Sequence, residues 1–288
     1  MAADWTRIDR QPVLFMRFFR TSFCVCLLVG AVTIPGGEIR ADPRLSACGG
    51  KPVAAVAAEA IDATSLRLAD GSEIKLVTVI GPSAADGDDV AEARALAALK
   101  QLTAGRKLTI FAAGDKDRYG RILARAVRIE NDIWLEAALA EKGFLRVRPD
   151  PNETCTKALL AAEQKARAAG AGLWADKKFQ VLDARDIPAL TEALGRFVIV
   201  EGTIRRVGET KPRLYLDFGR RFTEDFTIVI PNSLRNSLTI KGSDPKNWRG
   251  KRVRVRGVLI SWGGPAIEIN TAAAIEFVNP VPESANER

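Results

Sequence analysis

The residues in this sequence best suited to chemistry are cations. The turn Asp117-Arg118-Tyr119-Gly120-Arg121 lies between two stretches of alternating character, Lys107–Phe111 and Ile122–Ile129. These read as the strands of a hairpin, with Gly120 at the return. Arg121 opens the second strand and is predicted to be held rigidly. Beside a pocket, a rigid guanidinium recognises phosphate, because its planar fork bonds two oxygens at once. The alternative is a hairpin tip kept soluble by its charge. A second basic set, Arg252, Arg254 and Arg256, falls on one face of an alternating strand. Trp248 and Trp262 flank it, and Phe218 and Phe222 lie near Arg220 and Arg221. Charge combined with stacking is how small barrels hold single-stranded nucleic acid. The competing reading is an outward strand kept soluble by arginines over an aromatic core. Carboxylates are densest in the loop Asp86-Gly87-Asp88-Asp89. The sequence has no histidine, which removes the commonest general base and transition-metal ligand. It has no CxxC pair either, so a zinc site is not expected.

Those cations need a frame. Val53 to Leu68 reads as a strand pair or a long bent strand, with a turn suggested at Asp62-Ala63-Thr64, and Asp70-Gly71 is a hairpin dipeptide. Ile74–Ile80 returns as a strand ending at Gly81-Pro82. Val90–Leu102 has helical spacing, with Val90, Ala93, Leu96, Ala97, Leu99 and Leu102 on one face, a cap at Asp88 or Asp89, and Gly105 as the stop. Ile133–Lys142 and Thr154–Ala169 read as two more helices, stopped by Gly143 and Gly170. Strands, helix, hairpin, helix, helix describe a small closed barrel carrying three helices. After a polar connector at 177–195, strands are predicted at 197–204, 213–219, 226–231 and 251–259, with a fifth region at 265–269 and 274–278. Five strands in this span suggest a second small barrel at 196–280, and 281–288 read as a disordered tail. The fold class is mainly β with α.

The N-terminus reads as a targeting segment. Arg7, Arg10, Arg17 and Arg20 precede the apolar run Phe23–Ile34, which is short for a membrane span and suited to a signal-peptide core. Met16 is an alternative start. Cleavage after Ala41 would leave 42–52 as the N-terminal segment. Residues 1–41 hold five arginines and three acids, so their removal takes the formal charge from +8 to +6. An uncleaved anchor, which would bring a membrane association, is the alternative. Cys24 and Cys26 leave with the leader. Cys48 and Cys155 remain as an even pair in an oxidising compartment, and a disulfide between them is expected. Leu45-Ser46-Ala47-Cys48 also has the look of a lipoprotein cleavage box, although four charged residues separate it from the apolar run. The expected location is periplasmic or secreted.

Several short motifs together resemble the thermonuclease (staphylococcal-nuclease-like) family over Val53–Asp176. They are Ala60-Ile61-Asp62, Asp70-Gly71, Val79 with Pro82, Asp117–Arg121, Gly143-Phe144 and Gly172-Leu173-Trp174. The resemblance implies a five-stranded barrel of the oligonucleotide-binding type with three helices. It also implies calcium-dependent phosphodiester cleavage of DNA and RNA. That chemistry requires two aspartates and a threonine carbonyl on the metal, a glutamate assisting water, and two arginines on the phosphate. Carried over by position, the first aspartate falls on Thr64, the first arginine on Lys75, the second aspartate on Ile80, the threonine on Gly81 and the glutamate on Ser83. A tyrosine that stacks on the nucleotide falls near Pro149. Arg121, with Arg118 and Tyr119 beside it, retains the second arginine. Calcium takes six to eight oxygens, with carboxylates setting most of the affinity. A hydroxyl and an isoleucine therefore put the family's metal, and its cleavage mechanism, out of reach.

The pattern Gly250-Lys251-x-Val253-x-Val255-x-Gly257 with Gly264-Pro265-x-Ile267-Glu268-Ile269 resembles oligonucleotide-binding-fold modules. The expectation is an exported protein of two barrels with no cofactor. It binds nucleic acid, another polyanion or an envelope protein through Lys75, Arg118, Tyr119, Arg121, Arg252, Arg254 and Arg256. The alternatives are a phosphodiesterase with calcium rebuilt on Asp86, Asp88 and Asp89, and a structural envelope protein.

Overall fold

Turn residues cut the first half into short strands, and their alternating apolar side chains share one interior. In the computed structural model, described for Cys48 and residues 50–278 apart from Phe222 and 241–243, these strands close a ring. The predictions for the leader, Met16, most of 42–52, Phe222 and the tail lie outside the described residues. The first ring uses β1 (Pro52–Asp62), β2 (Ser65–Leu68) and β3 (Glu73–Leu76). The short β4 (Val79–Ile80) and α1 (Asp89–Thr103) come next, followed by the hairpin β5 (Lys107–Lys116) and β6 (Ile122–Arg128). Neighbours run β1-β2-β3-β6-β5 and back to β1. The β3–β6 pairing is parallel and the others are antiparallel. One strand, β1, pairs with β5 through Pro52–Val56 and with β2 through Ala57–Asp62, with register shifts in its second half. Such bulges bend a strand enough to let it serve two neighbours and curl the sheet shut. Leu66, Ile74, Leu76, Leu108 and Ala124 fill the interior.

β7 (Ile133–Trp134), α2 (Leu135–Glu141), β8 (Arg146–Val147) and α3 (Glu153–Ala168) complete the first module. The expected helix at 90–102 forms, and of the expected face Leu99 is buried while Leu96 and Leu102 pack against the core. Ala95, Leu99 and Thr103 are buried, whereas Val90 is 60% exposed and Ala93 and Ala97 are exposed. The i, i+4 line through residues 95, 99 and 103 points at the barrel. Asp88 sits at the cap position without capping, because Lys178 engages its carboxylate. The marks at Gly143 and Gly172 have a packing cause. A Cβ on Gly143 would lie 2.2 Å from the Ala171 carbonyl oxygen, and Leu173 N–H donates to the Gly143 carbonyl at 2.8 Å. Backbone meets backbone there, where only glycine fits. Cys48 and Cys155 are joined, with Cα atoms 5.6 Å apart.

The second module contains β9 (Leu182–Asp183), α4 (Ile187–Glu192), β10 (Phe197–Thr203), β11 (Arg206–Glu209), β12 (Arg213–Asp217) and β13 (Thr227–Pro231). α5 (Arg235–Ile240), β14 (Arg252–Val258), β15 (Ile260–Trp262), β16 (Gly264–Glu268) and β17 (Ile275–Phe277) follow. Its strands fall into two sheets, β17-β14-β10-β9 and β11-β12-β13-β16-β15. The sheets are joined by two bent strands. β10 runs on into β11 across Ile204-Arg205, and β14 into β15 across Leu259. Followed through those bends, the neighbours run β10/β11, β12, β13, β16, β15/β14 and back, with β13–β16 parallel. This is the connectivity of the first ring repeated. Phe218, Phe226, Trp248 and Val255 share its core.

The two modules meet through buried charge. Arg256 of β14 donates from Nη1 to both Glu163 carboxylate oxygens, at 2.9 and 3.1 Å, and to the Val147 carbonyl, and from Nη2 to Glu276 at 2.8 Å. Its side chain is fully buried. Burial works against its charge, yet Glu163 and Glu276 prevail and hold its pKa above the ordinary arginine value. Arg146 of β8 donates to the Phe197 carbonyl at 2.8 Å and lies over the rings of Phe179 and Phe197.

Candidate functional site

The turn at Asp62–Thr64 and strand β3 bring three polar side chains together on the barrel wall. Asp62 Oδ1 accepts from the Thr64 N–H at 2.7 Å and from the Thr64 hydroxyl at 3.0 Å. Lys75 Nζ donates to the Thr64 hydroxyl and, at 3.4 Å, to Asp62 Oδ1. The register Ser65↔Lys75 places them on adjacent strands. Burial lowers the pKa of Lys75, with Asp62 opposing the shift and Arg121 adding to it. Partial burial works to raise the pKa of Asp62, but Lys75 and the Thr64 hydrogen bonds outweigh it, and the carboxyl lies below its usual range. The Asp62 carboxylate and the Lys75 ammonium thus face each other as an ion pair at 3.4 Å.

Arg121 stands beside this group and is already engaged. Its Nε and Nη2 donate to Asp117 Oδ2 at 2.8 and 2.7 Å, and Nη1 donates to the Ser65 hydroxyl at 3.2 Å and lies 3.8 Å from Asp62. Asp117 Oδ1 accepts the N–H groups of Tyr119 and Arg121. The turn is thereby bound to the barrel, with Gly120 at φ 81° making the return. Tyr119 is 66% exposed, and the guanidiniums of Arg118 and Arg121 lie 4.8 and 5.1 Å from its ring centre.

A cavity of about 570 Å³ opens on the Lys75 side. Its walls include Asp62, Thr64, Lys75, Ile80, Gly81 and Ser83. The five positions that the sequence comparison singled out as replaced thus converge on one cavity, whereas Arg121 is not part of its wall. Four further wall residues carry polar groups that the sequence did not flag: Glu92, Arg148, Asp150 and Asn270. Arg148 follows β8 and is exposed, with no side-chain partner among the described residues. Its signal in the sequence was the alternation Arg146-Val147-Arg148 running into Pro149. Asn270 comes from the second module, and nothing local in the sequence marks it.

The donor set decides whether calcium fits. Asp62 is held by Lys75, Thr64 and Arg121. Asp150 accepts Arg125 at 2.7 Å and the Asn152 N–H at 2.8 Å. Glu92 accepts the Ala84 N–H at 2.6 Å. Among the described residues no three carboxylates gather as a metal site. None of the loop acids Asp86, Asp88 and Asp89 lines the cavity, and Lys178 bonds the Asp88 carboxylate and donates to the Asp86 backbone carbonyl at 2.6 Å. The wall already holds its own cation, Lys75, hydrogen-bonded to a hydroxyl and a carboxylate that a metal would need. These residues do not fit calcium.

Residues 74–176 match the family model described as staphylococcal nuclease homologue. The chain carries a staphylococcal nuclease homologue domain. The match begins at Ile74, so Asp62 and Thr64 precede it, although β1 and β2 are part of the same closed barrel. The nuclease domain thus has its ring completed by strands outside the matched stretch. A comparison with curated proteins finds no match for the chain.

The basic strand of the second module differs from the open face expected for Arg252, Arg254 and Arg256. Arg252 and Arg254 both bind Glu201, at 2.8 and 2.5 Å. Arg256 is sealed in the contact between modules. Strand alternation does place the three side by side, but the same face enters the interface, so exposure falls along the strand. Trp248 and Phe218 are core residues, while Trp262 is 40% exposed and stacked by Arg213.

Proposed function

We propose that this nuclease-fold protein binds a polyanion without a metal and does not run calcium-dependent cleavage. The observation that carries the reading is the Lys75 ammonium, held by Asp62 and Thr64 in the wall of a cavity that Arg148 also lines. A fixed ammonium and a free guanidinium supply charge to phosphate oxygens, and the shortage of uncommitted carboxylates withholds the Lewis acid that would activate water. Arg121 positions the Asp117 turn and Asp62 rather than meeting the ligand. Export to an oxidising compartment belongs to the same reading, supported by the basic and apolar N-terminal pattern and by the Cys48–Cys155 pair. Among the described residues no helix is long and apolar enough to cross a membrane.

The test is binding of a fluorescent single-stranded oligodeoxynucleotide across a salt series, with calcium and with chelator. The expected result is affinity that falls with salt, at a log–log slope of roughly −1 to −2 for two or three phosphate contacts. Chelator should leave it unchanged, and the oligonucleotide should stay intact. Cleavage that needs calcium would restore the phosphodiesterase reading. Absence of binding at low salt would leave an envelope-protein partner or a structural role.

A further inference from the structure

The cavity beside Lys75 is not closed by the nuclease domain alone. Asn270, from the segment between β16 and β17, forms part of its wall. Asn270 is itself exposed, yet its neighbours hold it in place. Ile269 and Thr271 are 2% and 6% exposed, and the Ile269 N–H donates to the Val229 carbonyl at 3.0 Å. The Thr271 hydroxyl accepts the Ala273 N–H at 3.3 Å. The Arg256–Glu163 and Arg146–Phe197 contacts join this barrel to the nuclease-like domain through buried bonds, and across that contact the asparagine reaches the cavity wall. Its amide has no hydrogen bond among the described residues and offers two donors and an acceptor.

We infer that Asn270 is a specificity-determining residue of a composite site, reading a base or sugar group of single-stranded nucleic acid next to the phosphate held by Lys75 and Arg148. This inference rests on the polyanion reading. A cavity of about 570 Å³ is in the range of small-ligand sites and holds more than a phosphate group. A bare phosphate chain offers acceptors alone, so half of what an amide presents would go unused. A base edge offers donors and acceptors together. The neutral, anchored amide therefore favours a nucleotide unit over inorganic polyphosphate.

The experiment compares the full protein with Asn270→Ala and Asn270→Asp, using two probes, a single-stranded oligodeoxynucleotide and inorganic polyphosphate, with thermal unfolding as the folding control. Asn270→Ala should weaken the oligonucleotide about five- to tenfold, as expected for loss of hydrogen bonds to a site, and leave polyphosphate within twofold. Asn270→Asp should weaken both probes, the oligonucleotide more. Equal losses for both probes in Asn270→Ala, or no loss in either, would overturn the inference while leaving polyanion binding standing. If the unmodified protein binds neither probe, the polyanion reading falls and takes the inference with it.

Discussion

Glu163 and Arg256 are 93 residues apart in the chain and 2.9 Å apart in the fold, with both side chains closed to solvent. The Val147 peptide joins them, its N–H donating to Glu163 at 2.6 Å and its carbonyl accepting from Arg256 at 3.2 Å. Glu163→Gln leaves the fully buried Arg256 with Glu276, at 2.8 Å, as its remaining carboxylate, so the loss falls below the about 3–5 kcal/mol of a buried charge left wholly unpaired. Glu163→Gln should therefore lower stability by about 2–3 kcal/mol in denaturant unfolding. Replacing both partners, Glu163→Leu with Arg256→Met, removes the desolvation penalty of the two charges but leaves the Val147 N–H without its acceptor, so it should recover part of the loss. A double variant no more stable than Glu163→Gln would show that the pair contributes through packing alone.

Lys75 and Arg121 should separate by what they change. Lys75→Met and Arg148→Ala are expected to weaken oligonucleotide binding several-fold at low salt. Arg121→Ala is expected to lower stability by about 1–2 kcal/mol through the bonds it removes from Asp117 and Ser65, with affinity changed less than in Lys75→Met. Anisotropy titrations beside thermal melts decide the matter. An Arg121→Ala protein of normal stability that has lost all binding would return Arg121 to the ligand.

Calcium should not stabilise the fold. A ligand bound only by the native state raises the melting temperature by mass action. With Asp62, Asp150 and Glu92 committed as described, millimolar calcium should move the melting temperature by less than about 1 °C at constant ionic strength. A rise that saturates with calcium and disappears in Asp62→Asn would contradict the donor argument.

Glu136 supplies a pH signature. It is fully buried on α2 and accepts the Ala126 N–H at 3.3 Å, and burial pushes its carboxyl up to about 7. The folded protein therefore holds a proton that the unfolded chain releases near 4.5. The stabilising contribution is complete below pH 4.5 and is lost as pH rises through 7, on the order of 3 kcal/mol in all. Denaturation midpoints of Glu136→Gln should be flatter than those of the unmodified protein between pH 5 and 7.5. Parallel profiles would mean that another group carries the dependence.

The disulfide spans 107 residues. Closing a loop of that size restricts the unfolded chain by up to about 4–5 kcal/mol in the chain-entropy account. Reduction, or Cys155→Ala, should lower the melting temperature, and the reduced protein and the variant should melt alike.

The barrel was legible because its signals are local. The Asp70-Gly71 hairpin, the strands around Asp117–Arg121 and the glycine stops of the helices each follow from backbone chemistry within a few residues. The convergence of Thr64, Lys75, Ile80, Gly81 and Ser83 on one cavity followed from positional resemblance. The helix face at 90–102 was legible in part: Leu96, Leu99 and Leu102 pack on the barrel, but tertiary packing turns the helix so that Ala95 and Thr103 are buried and Val90, Ala93 and Ala97 are exposed. The fate of Arg256 was hidden for a stronger reason. Its partner Glu163 belongs to the other module, and strand alternation cannot tell an arginine facing water from one facing a neighbouring domain. Asn270 was hidden in the same way, since its role depends on how the barrels dock.

The repeated connectivity of the two rings has a consequence for biosynthesis. Each ring is closed by a parallel pairing between distant strands, β3 with β6 and β13 with β16, and such pairings form slowly. Two rings of one connectivity on a single chain also invite a strand of one to be captured by the other during folding. Glu163 and Arg256 can meet only when α3 is seated on the first ring and β14 lies in the second. A cross-paired chain lacks the Glu163–Arg256 contact, so the buried pair is a mark of correct assembly as well as a bond that holds it.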